Sequence, residues 1–299
     1  MATRSHQLMP ALCIAKKIKQ DTDSTVILGR RRIYPEILEK YDFIDYGLLE
    51  DTGKSLLELL KYIKGDKSIK LSEIPNLMFR NNNQVRIGPE FKFNMDEMNF
   101  PDYSGLPLDL YKYHPYKNLK NNFPEKDVLI LPGFIIKGCR GDCAFCSGNQ
   151  IKVRSKSPKI VGKEIKTLKK KFHTNYFMFM SNEVNINYDY TLKLAEELKK
   201  CDVLWCDSAR LDVFDKQLIK EVAKSGCIHL TYGLESGSQE LLDKMNKGIN
   251  VKKASQILKW AHKENIWSHV NVIAGLPHET EEDVKKTIEF LNENAKFIN

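Results

Sequence analysis

Gly138-Cys139-Arg140-Gly141-Asp142-Cys143-Ala144-Phe145-Cys146-Ser147 is the stretch on which the reading of this chain turns. Three thiols in the spacing C-x-x-x-C-x-x-C can converge on one point only from a loop, and Gly138 and Gly141 give that loop backbone freedom. Iron–sulfur clusters are held by several converging thiolates. A fourth cysteine at matching spacing would close a cluster for plain electron transfer, whereas three leave one iron open to a ligand. Two alternatives stand beside this. Buried, idle thiols are one. A zinc site is the other, but zinc wants a fourth donor, and the nearest histidines, His114 and His173, are each about 25 residues away.

The chain on either side sets that loop in an α/β fold. Upstream lies the apolar run Val128 to Leu131, expected as a strand. Downstream, further strands are expected at Tyr176 to Met180, Val203 to Cys206, Ile228 to Tyr232 and His269 to Ala274. Helical periodicity fills the gaps: Lys159 to Lys171, Tyr190 to Lys199, Lys216 to Lys224, Gln239 to Met245 and Val251 to Lys263. A last helix, Glu281 to Asn292, has Thr280 as its N-cap and three acids in its first turn. Repeated strand–helix alternation predicts a parallel sheet curved into a partial (β/α) barrel.

The first hundred residues alternate as well. Met9 to Lys19 is an expected helix with Leu12, Cys13, Ala15 and Ile18 on one face. Ser24 to Leu28 and Phe43 to Tyr46 are expected strands, and Tyr34 to Tyr41 and Lys54 to Ile63 are expected helices. Leu77-Met78-Phe79 and Gln84-Val85-Arg86-Ile87, flanking Asn81-Asn82-Asn83, form a hairpin signal. Asn99 to Glu125, rich in Pro, Tyr and Asn, is expected as a linker.

The 299 residues carry seven cysteines, 42% hydrophobic and 29% charged residues, and a formal charge of +8. No leader-like apolar block opens the chain, and no apolar run is long enough for a bilayer. A cytoplasmic location is therefore expected, with thiols used for metal or redox chemistry instead of disulfides. The lysine excess around Lys163, Lys166, Lys169, Lys170 and Lys171 reads as a solvated helix face, and no RNA-binding module signature accompanies it. Cys206 and Cys227 read as core residues, as do Trp205, Trp260 and Trp267. Cys13 and Cys201 fall on or near helices, and His269 reads as a structural histidine.

The cysteine spacing, Phe145 just before the third cysteine, and the position after a first barrel strand resemble the radical S-adenosylmethionine superfamily. That resemblance implies a 4Fe-4S cluster on Cys139, Cys143 and Cys146, with S-adenosylmethionine chelated to the open iron and cleaved by one electron from an external donor such as flavodoxin or ferredoxin. It implies that the backbone at Phe145 approaches the adenine. Strand ends supply further candidates for holding S-adenosylmethionine. Ser181-Asn182-Glu183-Val184-Asn185 stands where the family often has Gly-Gly-Glu, so Glu183 is a candidate for the amino group. Ser208 and Arg210, in Asp207-Ser208-Ala209-Arg210, are candidates for the methionyl end. Tyr232-Gly233-Leu234-Glu235-Ser236-Gly237-Ser238 resembles a Gly-Leu-Glu-Ser segment of several branches, making Glu235 and Ser236 candidates for ribose hydroxyls or an ammonium. Ile273-Ala274-Gly275-Leu276-Pro277-His278-Glu279-Thr280 resembles a segment that lines the adenine, naming Ala274 and Gly275.

The order of motifs resembles the cobalamin-binding branch and its methyltransferases. It implies a truncated flavodoxin-like (Rossmann-like) domain with a hairpin over 1–98, a linker over 99–125, and a radical S-adenosylmethionine core over 126–299, incomplete at its C-terminal end. Cobalamin is accordingly a candidate cofactor. Two departures bear on it: the Asp-x-His-x-x-Gly loop that ligates cobalt in some relatives is absent, and the usual Gly-Gly is Gly29-Arg30, followed by Arg31-Arg32. A cobalamin-independent hydrogen-abstracting enzyme and a non-catalytic iron–sulfur module are the alternatives. The substrate is expected to be a small molecule or peptide before a nucleic acid.

Overall fold

The computed structural model describes residues 2–3, 7–30, 34–49, 52–82, 84–113, 127–146 and 151–298. The chain divides into two compact units, Met1–Phe93 and Asn94–Asn299.

In the first unit, β1 (Ala2–Thr3), α1 (Leu8–Asp21), β2 (Ile27–Arg30), α2 (Pro35–Lys40), β3 (Tyr46–Leu49) and α3 (Thr52–Ile63) precede a hairpin of β4 (Leu77–Asn81) and β5 (Gln84–Ile87). The sheet order among the described residues is β1-β2-β3-β4-β5. The first three strands are parallel, and β4 and β5 are antiparallel to their neighbours. The hairpin register Asn81↔Gln84 places Asn82 at its tip with φ +50. Two expectations shift. The strand expected at Phe43 to Tyr46 is β3 and starts at Tyr46, because Ile44 N–H closes a turn onto Tyr41 O (3.3 Å) ahead of it. On α1 the buried face is Ala11, Leu12 and Ala15, and Cys13 is turned outward.

The second unit carries the cysteines. It contains β6 (Lys112–Tyr113), β7 (Val128–Gly133), β8 (Ile136–Lys137), β9 (Arg154–Ser155), α4 (Pro158–Phe172), β10 (Tyr176–Phe179), α5 (Tyr188–Lys199), β11 (Leu204–Ala209), α6 (Lys216–Lys224), β12 (Cys227–Glu235), α7 (Gln239–Lys244), α8 (Val251–Lys263), β13 (Trp267–Val272) and α9 (Glu281–Asn294). The main sheet runs β13-β12-β11-β10-β7-β6, parallel except for β6 at its edge. Successive parallel neighbours joined through helices are the units of a partial barrel.

Strand periodicity builds its core. Phe177 and Phe179, Trp205 and Ala209, and Leu230, Tyr232 and Leu234 alternate onto one face. There they meet Val161, Ile165, Leu194, Leu198, Leu218, Val222, Ile257 and Leu258 from the helices. Helix starts are set by polar caps: Asn187, Asp215, Ser238 and Asn250 each accept an N–H from the first turn, and Thr280 with Asp283 forms a capping box. The described part of the expected linker is packed. Tyr103 joins this core and its hydroxyl donates to Pro132 O, and Phe100 packs against the same cluster. Residues 114–126 lie outside the described residues. No helix among the described residues is long and apolar enough to cross a membrane.

Candidate functional site

The cysteine loop is closed at its neck. Past β7 the chain forms β8, leaves for the loop, and returns as β9, which pairs antiparallel with β8 in the register Ile136↔Ser155 and Lys137↔Arg154. Gly138 opens the loop at φ +87, and a Cβ there would fall 2.5 Å from Ile151 O and 2.7 Å from Lys152 O. Only glycine fits so close to two backbone oxygens at positive φ. Cys139 N–H then donates to Ile151 O at 3.4 Å.

The far side of the loop is tied to the segment after α7. Ala144 N–H donates to Met245 O at 2.9 Å, and Asn246 Nδ2 donates to Asp142 O at 3.0 Å. Within the loop, Cys146 N–H donates to Cys143 O at 3.0 Å and Gly141 N–H to Cys139 Sγ at 3.3 Å. Cys143 is buried, and Cys139 and Cys146 are half-buried. Burial pushes the Cys139 thiol up, opposed by the Gly141 N–H. All seven cysteines are free thiols, with Cys201, Cys206 and Cys227 buried away from the loop's sequence.

Charged side chains from the strand ends brace the loop. Glu183, fully buried after β10, accepts Arg140 N–H at 2.5 Å, with its other oxygen 3.1 Å from Arg140 Nε. Arg210 follows β11. Its Nε donates to Asp212 at 2.8 Å, its Nη1 faces Cys143 Sγ at 3.7 Å, and its Nη2 donates to Lys247 O. Asn185 holds the Arg210 backbone on both sides, accepting its N–H (2.9 Å) and donating to its carbonyl (2.8 Å). Buried Lys247 pairs with Glu235 at 2.8 Å, and its ammonium sits 5.6 Å from the centre of the Phe145 ring.

These contacts show what surrounds several of the expected site residues. Glu183 and Arg210, expected at the methionyl end of a ligand, contact the loop and are linked through Arg140 and Asp212. Glu235 lies at the last position of β12 with φ +72, beside a bulge in the pairing with β13. Such a backbone costs about 1–3 kcal/mol and persists where its surroundings over-determine it. Its carboxylate already has the Lys247 ammonium. Ser236 is fully buried, and its Oγ meets Thr287 Oγ1 of α9 at 3.1 Å and accepts Ser238 N–H. Ser208 lies inside β11, half-buried. Ala274, Gly275 and Phe145 are exposed. Gly275 has φ +81 and its N–H donates to Glu279 Oε2 at 2.5 Å.

Two further groups are perturbed. Burial pushes the Asp207 carboxyl up to about 7, although its Oδ1 accepts the N–H groups of Ser208 (2.7 Å) and Ser181 (2.9 Å). Opposite the helix-covered face, burial pulls the His229 imidazole down to about 4. His229 contacts the Trp267 ring (4.5 Å) and Thr231 Oγ1 (3.3 Å). His269, paired in register with Thr231, is exposed.

Sequence reading missed Arg140, Asn185, Asp212 and Lys247. Asp212, two residues after Arg210, carried a local signal. Lys247 carried none, because it meets Phe145 only through the fold. Among the described residues, no three His, Cys, Asp or Glu side chains converge as donors to a single ion. A cubane asks less of its thiolates, since each binds a different iron.

Residues 134–291, just over half of the chain, match the model of the Radical SAM superfamily, and the chain belongs to that superfamily. Membership implies a 4Fe-4S cluster and S-adenosylmethionine as cofactors. Over 290 residues the chain is 27% identical to an uncharacterized methyltransferase of Pyrococcus horikoshii, covering 93% of this chain and 59% of that protein. The fold is shared with TsrM, a radical S-adenosylmethionine methyltransferase from Kitasatospora setae (TM-score 0.72, 17% identity, 97% of this chain and 57% of that one). It is also shared with OxsB, a cobalamin-dependent S-adenosylmethionine radical enzyme (TM-score 0.76, 18% identity, 97% of this chain and 43% of that one). The chain spans about half the length of the curated relatives it matches.

Proposed function

We propose that this chain carries the site of a radical enzyme that cleaves S-adenosylmethionine reductively, with Cys139, Cys143 and Cys146 as the ligands of the cluster. One observation carries the reading: the three thiols share a loop whose neck is locked by β8 and β9 and whose flank is braced by buried Glu183 and Arg210. The donor set fits a cubane with one open iron, and the Arg210 guanidinium lies beside Cys143 Sγ. When bound, the cluster supplies one electron that splits the sulfonium of S-adenosylmethionine into methionine and a 5′-deoxyadenosyl radical.

The chain's own residues do the rest. Glu183 and Asp212 compensate Arg140 and Arg210, so the loop is held without an unpaired buried charge. Phe145, Ser208, Ala274 and Gly275, the candidates not committed to bracing contacts through their side chains, lie on the loop and toward the C-terminal ends of strands. Ligands of such folds bind there. Their small and apolar surfaces suit a flat adenine and its ribose. The reductant is an external one-electron donor of low potential, with flavodoxin and ferredoxin as the classes to test.

The names of the relatives favour methyl transfer, and the acceptor proposed here is a small molecule or peptide. Cobalamin enters through OxsB. The first unit holds a cavity of about 650 Å³ lined by Thr22, Ser24, Thr25, Gly29, Thr52 and Leu56 among others. The described lining includes no histidine side chain, and cobalamin is proposed as a candidate cofactor on the strength of the relatives. The test is anaerobic reconstitution with iron and sulfide, reduction with dithionite, and addition of S-adenosylmethionine. Release of 5′-deoxyadenosine supports the reading. A reduced cluster that leaves S-adenosylmethionine intact overturns it and identifies a non-catalytic iron–sulfur module.

A further inference from the structure

Arg210 is a poor partner for a ligand's carboxylate, because all three of its nitrogens are engaged by the protein. Its Nη1 is the informative one. That nitrogen faces the sulfur of Cys143 at 3.7 Å, and the approach depends on glycine, since a Cβ at Gly141 would fall 2.5 Å from it. The fork cannot swing away to accommodate one. Asp212 holds Nε, Lys247 O holds Nη2, and Asn185 clamps the backbone. Arg210 is nearly fully buried, so its charge is little screened by salt. An arginine also keeps its charge at any working pH.

We propose that Arg210 is a positioning residue that sets the reduction potential of the cluster through the sulfur of Cys143, with Asp212 opposing it. The inference rests on the assignment of Cys143 as a cluster ligand. Reduction adds one negative charge to the cluster, and a fixed cation donating to a ligand sulfur stabilises that charge. Hydrogen bonds to sulfur and local charge are what tune such potentials. Asp212 lies against the same guanidinium, with Nε at 2.8 Å, and offsets part of its field. A residue that merely held the loop would leave the potential unmoved when replaced.

The experiment is a redox titration of the reconstituted full chain, read by electron paramagnetic resonance, with iron content measured on every sample. Arg210→Gln is expected to lower the ratio of reduced to oxidised cluster at a fixed potential on the order of tenfold, a midpoint about 59 mV more negative for a one-electron couple. Asp212→Asn is expected to move the midpoint the other way. A midpoint unchanged in both variants overturns the inference. Should Arg210→Gln fail to hold iron, Asp212→Asn decides alone: an upward shift supports the inference, and an unchanged or lowered midpoint overturns it. Wild-type protein that takes up no cluster overturns the functional reading itself, which the iron assay distinguishes from either variant result.

Discussion

Replacing Gly138 by alanine tests the closed neck of the cysteine loop. The residue sits at φ +87, where an L side chain costs about 1–3 kcal/mol. The new methyl would lie 2.5 Å and 2.7 Å from two carbonyl oxygens of the returning strand, at Ile151 and Lys152. Both belong to backbone, so the neck must open. Opening it puts at risk the Cys139 N–H to Ile151 O hydrogen bond, already 3.4 Å long and worth about 0.5–1.5 kcal/mol. Together these weaken the closed loop by about 2–4 kcal/mol. The lower figure corresponds to roughly thirtyfold in an equilibrium constant. The helix-covered core is untouched, so the melting temperature of the iron-free protein should barely move. The assay is competition for iron between reconstituted protein and a chelator, paired with thermal melting of the iron-free form. Gly138→Ala should yield its iron at roughly thirtyfold lower chelator. Retention equal to wild type would refute the claim that this glycine closes the neck.

Lys247→Met should strand the nearly buried Glu235 carboxylate and cost about 3–5 kcal/mol in denaturant unfolding, and adding Glu235→Gln should recover most of it. Asp207 has a folded pKa raised to about 7 above its ordinary value of 3.8, so the folded state binds its proton more tightly. The stability this contributes is full below about pH 4 and is lost as pH rises through about 7, with a slope up to about 1.4 kcal/mol per pH unit. Asp207→Asn should flatten that segment of the stability–pH curve, and an unchanged slope would sink the assignment.

Sequence periodicity carried much of the fold, because its signals are local. α6 and α8 have the expected ends, Lys216–Lys224 and Val251–Lys263, since Asp215 and Asn250 cap them. Strands were less sharply bounded: β11 and β12 extend through Ala209 and Glu235, each three residues beyond the expected end, because pairing with neighbours continues past the hydrophobic pattern. The two-residue strands β8 and β9 had no pattern to show, although they fix the cysteine loop. For the site, spacing alone marked the three cysteines as candidates, and the structure places them on one loop. The roles of Glu183, Arg210 and Ser236 were not legible, since each depends on a partner far along the chain: Arg140, Cys143 and Thr287. Residue type announced that these groups could bind something. Only the fold shows that they bind the protein.

The central claim is that three thiols of one loop grip a single iron–sulfur cube. Iron and acid-labile sulfide per chain, measured after anaerobic reconstitution of wild type, Cys143→Ala and Cys206→Ala, test it most directly. The account predicts a full complement in wild type and in Cys206→Ala, whose buried thiol lies on β11, and loss of the cube in Cys143→Ala. Equal iron and sulfide in the two variants would contradict it.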